Sequence, residues 1–178
     1  MMFLRQLPRV FSNVVPIVFP AALTAFLLVG CGKSEITELR ERFVLADEPS
    51  GAKVVSKIRA TLQKDGAPDS VSVVLSGRIY AGKDSEPWSA GKCAFILTDF
   101  AGHNGDSEHD PYECPYCSES IEDYRAFVNF GDAGQAAPVD AREVFEVKER
   151  QKVTVTGTAT LDDAGEVMIE GKGLYIVR

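Results

Sequence analysis

Residues 152–178 read "KVTVTGTATLDDAGEVMIEGKGLYIVR", and this stretch decides the fold. Val153, Val155, Ala159 and Leu161 alternate with threonines, the two-residue period of a strand with one face toward a core and the other toward solvent. "DDAG" at 162–165 is turn chemistry, and "EVMIEGKGLYIVR" resumes the extended pattern, so the segment predicts a β-hairpin. Upstream, "VSVVLSGRIYAG" (71–82), "CAFILTDF" (93–100) and "YRAFVNFG" (124–131) predict three further strands, with a bulge or bend at Gly77. Between the third strand and the hairpin, "DAREVFEV" (140–147) predicts a short helical turn with Asp140 as its N-cap.

The resulting order is strand, strand, strand, helix, strand, strand. That is the order of the OB-fold, a five-stranded Greek-key barrel. Gly77, Gly157, Gly171 and Gly173 fit a small barrel, whose strands must bend sharply to close. A small β-sandwich is the competing arrangement of the same strands. The fold class expected is mainly β: an OB-like barrel over 71–178 with an N-terminal helical lead-in.

The lead-in covers 31–70, as a tether with amphipathic helices. In "SEITELRERFVLADEPSG" (34–51), Ile36, Leu39, Phe43 and Val44 form one helical stripe, interrupted by Pro49 and Gly51. In "GAKVVSKIRATLQKDG" (51–66), Val54, Val55, Ile58 and Leu62 share a face, and Gly66 closes the helix. Such a face is expected to pack on the following domain rather than on a partner.

Residues 1–30 have the layout of an export signal. Arg5 and Arg9 are the positive region, followed by the charge-free run "VVPIVFPAALTAFLLVG" (14–30) with Pro16 and Pro20 inside it. At 17 residues this run is at the short edge of what spans a bilayer, so a retained transmembrane helix is the alternative. The sequence "LVGC", Leu28 to Cys31, resembles the lipobox of bacterial lipoproteins. That resemblance implies a diacylglyceryl group on Cys31, cleavage before it, and anchorage by acyl chains such as palmitate. Several chains hold far better than one. Gly32, in place of an aspartate, favours the outer membrane. The expected location is the cell envelope, with the domain in the periplasm.

The chain carries a net charge of −7, and the segment 1–30 contributes only Arg5 and Arg9. The 148 residues from Cys31 onward therefore carry −9, with no cluster of basic residues. No nucleic-acid partner is expected, because such binding draws on grouped Lys and Arg. A length of 148 residues suits one domain with a well-buried core.

Against this background, "HDPYECPYC" (109–117) carries the chemistry, within a long loop over 101–124. Of four cysteines, Cys31 is assigned to lipid, which leaves Cys93, Cys114 and Cys117, and three thiols cannot all pair within one chain. Cys-x-x-Cys brings two thiolates to one centre, and His109 reaches it from the same loop. A tetrahedral zinc site needs a fourth ligand: His103, Asp99 or Cys93. His103 is preferred, since Cys93 lies at the far end of its strand, about 23 Å away at ~3.3 Å per residue. Both histidines of the chain fall in this segment. The expected set is His103, His109, Cys114 and Cys117 around a structural zinc.

Two other readings of the motif remain open: a local disulfide, and a working dithiol or metal carrier. "CPYC" resembles the active-site dithiol of glutaredoxins, and "SESIEDYRAF" after it offers a helix. A thioredoxin-like fold, however, places the motif after an early strand in a βαβ unit. Asp106, Glu108, Asp110, Glu113 and Glu119 lie close in sequence, and negative charge raises a thiol pKa.

The lipobox, "SGRIY", "FILTD", "HDPYECPYC" and the 153–176 hairpin together resemble envelope proteins common in planctomycete-like bacteria. These carry an OB-fold of the tRNA-anticodon-binding-like type with a His and CPxC loop. The likeness covers about residues 49–178 and implies fold and location rather than a reaction, because fold does not fix function. Cys93 reads as a small buried hydrophobe. Trp88 and Tyr80 are candidates for a ligand-stacking face. The acidic stretch 99–110 lacks the ligand spacing of a calcium loop. No nucleophile–base pair or positioned carboxylate pair points to catalysis. The expectation is a non-catalytic binding or scaffolding module for an unspecified protein or small molecule.

Overall fold

The computed structural model describes residues 33–100 and 109–178. The lipobox cysteine Cys31, the leader and His103 lie outside the described residues. Two helices come first, α1 (Glu35–Phe43) and α2 (Val55–Leu62), then strands β1 (Val71–Ile79) and β2 (Ala94–Thr98). The loop carries α3 (Pro115–Ser118) and a 3-10 turn over Ile121–Asp123, and leads to β3 (Arg125–Asn129). A small hairpin, β4 (Gly131–Asp132) and β5 (Gln135–Ala136), precedes α4 (Ala141–Phe145). The long hairpin β6 (Lys152–Leu161) and β7 (Val167–Ile176) ends the chain.

Five strands close into one barrel in the order β1-β2-β3-β7-β6. All pairs are antiparallel except β3–β7, which runs parallel with Ala126 opposite Val167. This is the OB-like barrel expected from the element order, and a sandwich of two separate sheets is excluded. Closure removes free sheet edges. It also dictates the glycines. β1 leaves β6 and joins β2 around Gly77, where a Cβ would stand 2.7 Å from the Thr98 carbonyl oxygen. The β6–β7 register shifts between Thr156 and Gly157, and a Cβ on Gly157 would enter the Glu170 carbonyl. Gly77 therefore marks a bend, one of the two features expected there, and the register irregularity sits at Gly157.

Leu75, Leu97, Val128, Val153, Val155, Ile169 and Leu174 fill the interior with at most 1% exposure. Phe130 joins α1, β2 and α4 within this core, with ring centroids 5.2 Å from Phe43, 5.9 Å from Phe95 and 4.8 Å from Phe145. Such edge-on and tilted pairs exploit the ring quadrupole. α4 lies between the third and fourth barrel strands, with Val144 and Phe145 buried; Asp140 caps it by accepting from the Arg142 N–H. Arg40 of α1 donates to the Val144 and Glu143 carbonyls, which are free acceptors at a helix end.

Several details depart from the sequence expectation. Val44 is 36% exposed rather than on the buried stripe, because α1 stops at Phe43 and Val44 makes an extended bridge to Leu174. Val54 is the N-cap residue of α2, and Val55 and Ile58 carry the burial. Thr154, expected on the solvent face, is fully buried and donates its hydroxyl to Glu48. Tyr80 is 1% exposed, packed on Phe100 and Tyr112, whereas Trp88 packs on Phe95, so the two do not form a stacking face. No helix of the described residues is long and apolar enough to cross a membrane.

Candidate metal centre

The loop after β2 is fastened at its base by the Asp99 N–H, which donates to the Tyr124 carbonyl at 2.7 Å. Within the described part, His109 is followed by a tight turn. Asp110 Oδ1 accepts from the Tyr112 N–H at 3.0 Å, and the Glu113 N–H donates to the Asp110 carbonyl at 3.2 Å. This is the usual way an aspartate organises a turn, by substituting its side chain for a backbone acceptor.

Cys114 is the N-cap residue of α3, with Pro115 at the first helical position, where its missing N–H costs nothing. The Ser118 N–H donates to the Cys114 carbonyl at 2.9 Å, completing a single turn. Residues three apart on such a turn share a face. Cys114 and Cys117 are thus presented side by side, at 8% and 1% exposure, with Tyr116 projecting outward at 81%. The 3-10 turn that follows is held by Arg59, which pairs with Asp123 at 3.1 Å and donates to the Glu122 carbonyl.

His109 Nε2 lies 3.3 Å from Cys117 Sγ, and the ligand atoms of His109, Cys114 and Cys117 all fall within 4.8 Å of one another. Zn–S bonds of ~2.3 Å and Zn–N bonds of ~2.0–2.1 Å put the corners of a tetrahedral site about 3.5–3.8 Å apart. The group therefore needs only small adjustments to close on an ion. It can hold a metal. No disulfide joins the two cysteines.

No family model and no curated protein matches this chain.

Burial alone pushes the Cys114 thiol up, but hydrogen bonds from the Cys117 N–H, the Cys117 side chain and the Tyr116 N–H outweigh it, and the net direction is down. This corrects the expectation that neighbouring acids would raise it. Of those acids, Asp110 pairs with Arg150 and Glu113 with Lys83, while Asp106 and Glu108 lie outside the described residues. Tyr124 is pushed up to about 12, by burial first and then by its hydrogen bond to Cys117. A phenol donating to a sulfur favours the thiolate, the form that binds metal.

Of the other expected ligands, Cys93 stands outside the group, at 0% exposure, with its thiol pushed up to about 12 by burial and by the charge of Asp140. Its carbonyl and N–H serve the Phe130 and Ala137 backbone, so it belongs to the core. Asp99 is 3% exposed and also stands outside the group. Three of the four expected ligands converge.

Asp110 was expected only as a nearby acid and Tyr80 only as a stacking residue; Arg150, which touches both, was not expected at the site. Asp110, with a side chain 8% exposed, pairs with Arg150 at 3.1 Å. The Arg150 guanidinium lies 4.5 Å from the Tyr80 ring centroid and 5.5 Å from that of Phe100. Burial first, and then the charge of Asp110, push the Tyr80 phenol up. The histidine-adjacent "HD" was the one available signal, because an acid beside a ligand often organises it.

Proposed function

We propose that the protein is a lipid-anchored module of the bacterial cell envelope, non-catalytic, whose barrel presents a loop stapled by a structural zinc. The observation that carries the metal half of this reading is the convergence of His109, Cys114 and Cys117 within 4.8 Å. Two thiolates and an imidazole are a donor set that suits zinc, and His103 is proposed as the fourth ligand. A closed four-ligand shell is structural, and a long loop between two strands is where such a staple has most to contribute. The anchoring half rests on the "LVGC" match at Cys31 after an uncharged apolar run, and on the resemblance to planctomycete-like envelope lipoproteins. The outer membrane is the proposed site, with the domain in the periplasm. A net charge of −7 speaks for a protein or small-molecule partner rather than a nucleic acid.

The lowered Cys114 thiol favours a second reading, a thiol–disulfide exchange protein or metal carrier using Cys114 and Cys117. Counting reactive thiols on the native full chain separates the two. A zinc-held pair becomes reactive after chelation alone, and a disulfide only after reductant. The anchor is tested by mass spectrometry of the mature N-terminus and by Cys31→Ser. The substitution should leave an unlipidated, uncleaved precursor; an unmodified mature terminus elsewhere would refute the anchor.

A further inference from the structure

The three converging ligands come from two separately built pieces. Cys114 and Cys117 share one helical turn, and the 3-10 turn that follows it is fastened by Arg59 through Asp123 and the Glu122 carbonyl. His109 comes from the preceding stretch, and its immediate neighbour Asp110 makes the ion pair there. We propose that the Asp110–Arg150 pair positions His109 and thereby sets the metal affinity of the site, an inference that rests on the zinc reading above.

The geometry supports a latch rather than an ordinary surface pair. Both carboxylate oxygens of Asp110 are used, Oδ1 by the Tyr112 N–H at 3.0 Å and Oδ2 by Arg150 Nη2 at 3.1 Å. One oxygen therefore fixes the local turn and the other ties that turn to the barrel. The Asp110 carboxylate is 8% exposed while the Arg150 side chain is 50% exposed, so solvent screens the pair less than one exposed on both sides. Arg150 is itself rigidly placed. Its N–H donates to the Ile79 carbonyl at 2.7 Å, at the end of β1, and its own carbonyl accepts from Arg78 Nη1 at 3.2 Å. Its guanidinium rests on the Tyr80 and Phe100 rings. The arginine is a post fixed to the barrel mouth, and Asp110 is the hook next to the ligand.

A second fastening on this side, Lys83 to Glu113, is exposed, with side chains 70% and 50% accessible, and lies nearer the cysteines. The other stabilising contact is apolar: the Tyr112 ring packs edge-on against Tyr80 at 5.5 Å and against the backbone of Gly82. Neither fixes the backbone immediately after His109. Groups that orient a metal-binding histidine typically change affinity by ~10–100-fold when removed.

The test is zinc titration of the full chain in detergent against a chromophoric chelator, with cobalt as a spectroscopic substitute. Asp110→Asn and Arg150→Gln should each weaken zinc binding by ~10–100-fold, and Arg150→Lys should recover part of the loss. Cobalt bound to either variant should keep its thiolate charge-transfer band, because Cys114 and Cys117 are held elsewhere. In a His109→Ala background the two substitutions should cost nothing further, since they act through that ligand. Arg142→Gln, which breaks the Arg142–Asp140 pair away from the loop, should bind zinc as the parent does. Wild-type binding with affinities unchanged within about twofold in Asp110→Asn and Arg150→Gln overturns this inference alone, as does a full loss persisting without His109. A wild-type chain that takes up no zinc overturns the zinc reading and the latch with it.

Discussion

The barrel and its ligand loop are stabilised by different means. The barrel is closed by a continuous hydrogen-bonded ladder, and its interior residues are almost wholly withdrawn from water. The described loop, 109–124, has one helical turn of four residues, one 3-10 turn, and a few side-chain fastenings at Asp110, Arg59 and Tyr112. A chain segment with so few buried apolar contacts cannot offset its ordering entropy by packing alone. Two thiols and an imidazole are brought together at its centre, where a bound ion would supply what packing does not. Damage to one region should therefore spare the other.

The largest effect should come from the barrel. Leu174→Ala removes a fully buried side chain and should cost about 2–5 kcal/mol of global stability by denaturant unfolding. Gly157→Ala should be at least as damaging, because its new methyl would enter the Glu170 carbonyl across β6–β7. Both variants, in their remaining folded fraction, should still bind metal. Loss of metal from a folded Leu174→Ala chain would mean that the two regions are not independent.

An intermediate and local effect is expected from Cys117→Ser. Metal should be lost, and hydrogen exchange over 109–124 should accelerate, while the barrel strands keep their protection. Cys93→Ala should do the reverse: metal retained, with a modest loss of barrel stability from the vacated core position. Global unfolding of Cys117→Ser would make the loop part of the barrel's cooperative unit.

The smallest effect is a pH dependence. Cys93 in the barrel and Tyr124 in the loop are both raised to about 12 in the folded chain. A group whose pKa rises on folding contributes stability that is complete below its unfolded value and is lost as pH climbs toward the folded one. Stability should therefore hold near neutrality and decline from about pH 9 upward. Cys93→Ala should flatten the decline measured by global unfolding. Tyr124→Phe should flatten only the part seen by probes in the loop. A decline unaltered by either substitution would assign it to other groups.

Most of the barrel was legible in the sequence because strand alternation and turn chemistry are local properties. The 153–161 pattern, the "DDAG" turn and the Asp140 cap each translate directly into backbone. What was not legible depends on distant residues. Thr154 is buried because Glu48, 106 residues away, lies over it. Tyr80 is buried because Phe100 and Tyr112 return across it. The β4–β5 hairpin has two-residue strands, too short for alternation to appear; its turn rests on Ala133 and Gly134, both at positive φ. In the site, His109, Cys114 and Cys117 were readable from spacing alone. The Asp110–Arg150 pair was not, since it joins positions 40 residues apart that only barrel closure brings together.

Zinc K-edge X-ray absorption on the purified full chain, with parallel elemental analysis, would show whether His109, Cys114 and Cys117 hold the proposed zinc ion. About one zinc per chain is expected, with two sulfur neighbours at ~2.3 Å and nitrogen or oxygen neighbours at ~2.0–2.1 Å. One sulfur should disappear in Cys117→Ser if any metal remains. A metal-free chain with a Cys114–Cys117 disulfide, or bound zinc with no sulfur neighbours, would contradict the proposed site.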